Sequence, residues 1–240
     1  MPNNQTIRVS NKPLLLIAAS IMIVGAAAYF SNSLSPESNG LFPQAQAAEG
    51  ITISAPTKPL TEPKGVQTAV FAGGCFWGVE GVFEHVRGVA TVESGYSGGR
   101  KADADYGRVS DGRTSHAESV RVRYDPAKVS YNQLLHVFFS VAHDPTQKDR
   151  QGPDVGKQYR SAIFPANPAQ SAAANAYIAQ LNKSGVWKKP IATHIEAFGF
   201  FPAEEYHQDF MRKNPDNGYI RSWDLPKITA LKRLFPKLYR

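Results

Sequence analysis

The chemically capable residues gather around Gly73-Gly74-Cys75-Phe76-Trp77-Gly78, which holds the only cysteine of a 240-residue chain. A thiol serves as a small buried hydrophobe, a cross-link or a nucleophile. A single cysteine excludes an internal disulfide framework, a CxxC redox pair and a multi-cysteine zinc site. Two glycines ending a β-type run leave this thiol on the first turn of a following helix. There the unpaired N–H groups and the positive end of the helix dipole favour the thiolate, so the placement predicts a depressed thiol pKa and a reactive group. Phe76 and Trp77 are adjacent helical side chains pointing about 100° apart. At least one of them must wall a cavity beside the sulfur instead of joining the apolar face of Val79, Val82 and Val86. A nucleophilic sulfur against aromatic rings suits a methyl or thioether better than a charged group.

Chemistry at such a group needs a proton donor. The stretch "TSHAESV" enters a strand with His116 and Glu118 on the same face. A carboxyl buried beside aromatics has a raised pKa and serves as a general acid near neutrality. His-x-Glu also occurs in zinc deaminases, but the cysteines such sites require are missing, and no metal is expected. Two long polar loops of the kind that often carries function supply further groups. One holds Tyr106; the other, "HDPTQKDRQGPDVGKQYR", holds Asp144, Asp149, Asp154 and Tyr159. Two other classes compete with a redox enzyme. A cysteine hydrolase would use His116 or His143 as base and form an acyl-enzyme, though no Asn or Asp stands out to orient the base. A binding module would grip apolar or thioether side chains without turnover.

These residues must be held by a scaffold. "QTAVFAGG" reads as a strand and "CFWGVEGVFEHVRG" as a helix closed by Gly88. "VATVESGYSGG" and "HAESVRVRYDP" read as strands, the second with Val120, Val122 and Tyr124 alternating against Ser119, Arg121 and Arg123. A helix capped by Ser130, the strand "YRSAIF", a helix ending at Gly185, the strand "IATHIEAF" and a short helix stopped by Pro215 follow. That order is a mixed α/β pattern, helices stacked on a sheet that need not be all parallel.

The two ends differ from this body. Arg8 and Lys12 precede an uncharged run from Pro13 to Phe30, and small residues follow at Ala45 to Ala48. The pattern fits either a cleaved export signal or an uncleaved anchor, and both place the rest of the chain outside the cytoplasm. Of the net charge of +7, residues 219–240 carry +5 and the first 49 residues none, which leaves +2 for the remainder. A nearly neutral body argues against a nucleic-acid enzyme. The basic C-terminus reads as a solvated face of a docked helix or as an attraction to anionic membrane. The expected division is residues 1–48 as signal peptide or membrane anchor, 49–64 as linker, 65–218 as catalytic domain and 219–240 as a basic amphipathic tail.

Taken together, "GGCFWG", "GYSGG", "SHAESVRVRYDP", "HDPTQKDRQGPDVGKQYRSAIF" and "AEEYHQDFMRKNP" resemble the A-class peptide methionine sulfoxide reductases over Val66 to Tyr219. The resemblance implies a two-layer α+β sandwich with a ferredoxin-like mixed sheet, and reduction of the S-epimer of methionine sulfoxide, free or in proteins. It implies Cys75 as nucleophile, Glu118 as the acid on the sulfoxide oxygen, and Phe76 and Trp77 as walls for the substrate methyl. Tyr106, Asp154 and Tyr159 match positions that bond or orient that oxygen. Many relatives place a recycling cysteine just after "NGY", whereas this chain has Ile220 and no later cysteine. The expectation is a sulfenic acid on Cys75 restored by a small thiol or thioredoxin-like reductant, with no prosthetic cofactor. The enzyme is expected to be an exported monomer, periplasmic or anchored to the outer side of the cytoplasmic membrane, that repairs oxidised proteins.

Overall fold

Strand β1 (Gln67–Gly73) is buried on both faces over its last five residues, so it belongs in the middle of a sheet. It pairs antiparallel with β3 (Ala117–Tyr124) on one side and with β6 (Ser161–Ile163) on the other. The computed structural model describes residues 50–240, and the expected leader or anchor, residues 1–48, lies outside them. Four more strands complete or adjoin this centre: β2 (Val89–Ser97), the two-residue strands β4 (Arg150–Gln151) and β5 (Asp154–Val155), and the parallel partner of β6, β7 (His194–Ile195). With β8 (Phe201–Pro202) the main sheet runs β7-β6-β1-β3-β2-β8, while β4 and β5 form a separate hairpin. This is the mixed sheet expected, except that "IATHIEAF" supplies only two residues of strand. Just before them, Ala192 N–H donates to Pro145 O at 2.7 Å and draws the chain onto the neighbouring loop.

The helices gather on one face. Helix α1 (Phe76–Glu84) follows β1, α2 (Tyr106–Ser110) follows β2, and α3 (Tyr131–Val137) follows β3 and continues as a π-helical turn, Phe138–Ala142. Ser130 and Gln133 cap α3 reciprocally, satisfying backbone N–H groups that the first turn leaves unpaired. Helix α4 (Pro168–Ser184) starts at an Asn167 cap and ends at Gly185 in the left-handed region, φ 70°. The core lies between these helices and the sheet, centred on Phe71. Its ring stacks against Phe138 at 5.0 Å, Phe83 at 5.1 Å and Tyr131 at 6.0 Å. Phe71→Ala should therefore cost about 3–5 kcal/mol of stability, read as a lower denaturant midpoint at unchanged slope.

The two ends of the described chain are docked. Residues 50–64, expected as a linker, lie as an extended strap over α3 and α4. Ile53 is buried, Tyr177 O–H donates to Ser54 O at 2.8 Å, and Glu62 accepts from Tyr124 O–H at 2.6 Å and from Tyr131 N–H at 2.8 Å. The basic segment 219–240 forms a π-helical turn, Ile220–Asp224, and helix α6 (Leu225–Leu234), preceded in the chain by the short helix α5 (Phe210–Lys213). Ile220, Asp224, Ala230 and Leu231 are buried, and Arg87 N–H donates to Leu238 O at 2.6 Å. The expected boundary at residue 218 is thus no boundary in packing. The apolar residues of the segment close the core over α1 while Lys232, Arg233 and Lys237 face solvent.

Candidate active site

Cys75 occupies the N-cap of α1, half-buried, with backbone φ −52° and ψ 124°. The turn that delivers it needs Gly74, whose φ of 94° lies in the left-handed region and whose missing Cβ makes room for Gln151. Beside the thiol, Phe76 N–H donates to Glu118 Oε2 at 3.0 Å. One bond therefore ties the start of the catalytic helix to the neighbouring sheet. Glu118 sits in β3 on the face of Val120, Val122 and Tyr124, opposite Tyr96 of β2 in register, and is 2% exposed. Burial pushes its carboxyl up to about 8, against the Phe76 N–H bond that lowers it and with the Asp154 charge adding to the rise. At neutral pH it holds a proton.

Rings line the other side. Phe76 is buried against His207 and Tyr96, with centroids 5.0 and 6.0 Å away. Trp77 stacks on Phe210 at 3.7 Å, 8° from parallel, and its indole N–H donates to His207 Nδ1 at 3.1 Å. Tyr106 opens α2 and lies 4.3 Å from the His207 ring. Its backbone N–H donates to Glu204 Oε1 at 2.9 Å, and Tyr96 O–H donates to Glu204 Oε2 at 2.8 Å. Asp154, in β5, accepts from Tyr219 O–H at 2.5 Å, and the Tyr219 ring meets the Trp77 edge at 6.1 Å. Tyr159 lies within electrostatic reach of Glu118, Asp154, Cys75 and Tyr106, and burial raises its hydroxyl.

The seven residues to which the resemblance gives roles, Cys75, Phe76, Trp77, Tyr106, Glu118, Asp154 and Tyr159, thus meet at one place, while Asp144 is bonded within its own loop to Thr146 and Gln151. One expectation fails: the thiol pKa is not depressed. Burial raises it well above its ordinary value, the charges of Glu118 and Asp224 add to the rise, and a bond from Trp77 N–H opposes it. The resting pair is a thiol and a neutral carboxyl. Among the described residues no hydrogen bond joins the thiol to His116 or His143. His116 Nε2 bonds Arg100 O at 3.0 Å and its Nδ1 has no partner, while both His143 nitrogens are engaged, with Phe138 O at 3.2 Å and Ser161 Oγ at 2.7 Å. The sequence reading missed Glu204, His207, Phe210 and Tyr219. The first three stand in "AEEYHQDFMRKNP", where helical periodicity drew attention to the element and away from the side chains.

Comparison with known proteins agrees with this site. The peptide methionine sulfoxide reductase family model matches residues 67–237. The chain is 58% identical over 176 residues, 73% of its own length and 90% of the relative's, to peptide methionine sulfoxide reductase MsrA 2 of Mesorhizobium japonicum. Among solved structures it resembles reduced Mxr1 of Saccharomyces cerevisiae, at 33% identity and a TM-score of 0.58, covering 67% of this chain and 92% of that one. It also resembles methionine sulfoxide reductase A of Corynebacterium diphtheriae, at 32% identity and a TM-score of 0.54, covering 74% and 92%. With the matched region spanning the thiol, the buried carboxyl and the rings between them, the chain belongs to the peptide methionine sulfoxide reductase family.

Proposed function

We propose that this chain is a peptide-methionine (S)-S-oxide reductase that works through Cys75 alone. The observation that carries the reading is the bond from Phe76 N–H to the buried Glu118, which holds a protonated carboxyl next to the only thiol. A sulfoxide sulfur becomes electrophilic when its oxygen is protonated or strongly hydrogen-bonded, so the carboxyl acts on the oxygen while the sulfur of Cys75 attacks. The hydroxyls of Tyr106 and Tyr159 and the Asp154 carboxyl orient that oxygen, and Phe76 and Trp77 hold the methyl group.

Atoms and electrons balance as follows. Methionine sulfoxide gains two electrons and leaves as methionine, and its oxygen stays on the enzyme as a Cys75 sulfenic acid. An external thiol then attacks Cys75 Sγ and breaks the S–O bond. The hydroxide leaves as water with the thiol's proton, and a mixed disulfide remains. A second thiol attacks that disulfide on the external sulfur, giving an external disulfide and free Cys75. The reductant is a small thiol or a thioredoxin-like protein, and no prosthetic group is needed. The positive residues ahead of the apolar run support export, either periplasmic or anchored to the outer side of the cytoplasmic membrane. The enzyme works as a monomer on oxidised proteins or free methionine sulfoxide.

Product analysis with the separated sulfoxide epimers and an added dithiol tests the reading. Methionine should form from the S-epimer and not from the R-epimer. Equal turnover of both, or of neither, would overturn it.

A further inference from the structure

The side chain of Asp224 is fully buried, yet its Oδ2 has no hydrogen-bond partner. Its other oxygen accepts from Lys227 Nζ at 3.1 Å, and the lysine side chain is itself only 11% exposed. The pair is pressed onto the first turn of α1. A Cβ placed on Gly78 would collide with Asp224 Oδ1 and lie 2.7 Å from Lys227 Nζ. Glycine inside a helix is unfavourable against alanine. Its presence three residues after Cys75 is explained by this close approach. A carboxylate at the first turn interacts with the positive end of a helix dipole. That is the field which would otherwise stabilise a thiolate at the N-cap.

We propose that Asp224, fixed by Lys227, occupies the positive end of α1 and thereby adds to burial in keeping the resting Cys75 sulfur protonated until substrate arrives. Asp224 and Lys227 are positioning residues: neither touches the reacting atoms. The inference rests on Cys75 being the nucleophile. The groups facing the sulfur are Glu118 from β3, Tyr106 from α2, Asp154 from the β4–β5 hairpin, Tyr159 from the turn after it, and Tyr219 and Asp224 from the C-terminal segment. Glu118, Tyr106, Asp154 and Tyr159 are the groups assigned to the substrate oxygen. Tyr219 is bound to Asp154, which leaves Asp224 as the negative group free to serve the resting thiol. Lys227 is the cation facing both Asp224 and Asp154. A protonated thiol resists adventitious oxidation and mispairing, a useful property for a lone cysteine without a neighbour to resolve it.

Because Cys75 is the only cysteine, alkylation by iodoacetamide across pH reads its titration in the intact chain without interference. Asp224→Asn should lower the alkylation midpoint by about one pH unit or more, making labelling near neutral pH roughly tenfold faster. Inactivation by hydrogen peroxide should accelerate in parallel. The variant leaves Lys227 buried without its partner, which threatens folding, so Asp224→Asn/Lys227→Met is measured beside it. With the cation also gone, its midpoint should fall between those of the single variant and the wild type. A cooperative melt establishes that each protein is folded. A midpoint unmoved or raised in a folded single or double variant overturns the proposal. The alkylation readout needs no turnover, so a failed reductase assay and a failed charge effect remain distinguishable.

Discussion

Glu118→Gln lowers kcat/KM for methionine-(S)-sulfoxide by about 10²–10⁴-fold, the usual contribution of a positioned general acid. The amide keeps an acceptor for Phe76 N–H and nearly the shape of the carboxyl, so the fold and the alkylation of Cys75 persist. What it loses is an acidic proton in contact with the developing charge on the sulfoxide oxygen. The same group sets a pH limb. Burial raises the carboxyl to about 8, so it is neutral below that pH and ionises above it. Wild-type kcat/KM should therefore fall as pH rises through about 8, and the residual activity of the Gln variant should lack this fall. A Gln variant within about threefold of the wild type would remove Glu118 from the acid role.

With one equivalent or more of sulfoxide and no added thiol, turnover stops at one methionine per chain. The reason is the solitude of Cys75: once its sulfur carries the oxygen, no second cysteine is present to displace it. Intact-mass analysis should show the chain heavier by one oxygen and reactive toward a sulfenic-acid trap. Adding a monothiol should restore multiple turnover and give a mixed disulfide in which Cys75 is the only protein sulfur. Several methionines per chain without reductant would exclude the one-cysteine cycle, as would a chain that retains no oxygen.

The residues that carry the chemistry were legible because they are clustered in short stretches with restrictive neighbours. Cys75 follows two glycines, and Glu118 lies on the apolar side of a strand whose alternation is plain from Val120 to Tyr124. The mixed α/β pattern of helices stacked on a sheet was legible for the same reason, since period and capping mark β1, β3, α3 and α4. What the sequence concealed depends on contacts between distant segments. A thiol at a helix start reads as acidic until its burial and the charges of Glu118 and Asp224 are placed around it, and no local pattern announces those contacts. Likewise, residues 50–64 have a linker's composition, and contacts such as those of Glu62, Ile53 and Ser54 distinguish a strap from a tether. Asp154 and Tyr219 are unremarkable singly and acquire meaning as a bonded pair behind Trp77.

The strap also orders events in time. Its bonds span long separations: Thr57 N–H donates to Gln180 Oε1, and Gln180 Nε2 donates back to Ala55 O, across 123 and 125 residues. Glu62 reaches Tyr131 across 69. Contacts of such separation form late, because the chain entropy of closing a long loop must be met before they return anything. A segment made early is therefore used late. While the ribosome completes α4, the strap has its partners at Tyr124, Tyr131 and Asn132, and its bonds to Tyr177 and Gln180 wait for a helix made 123 residues or more after it.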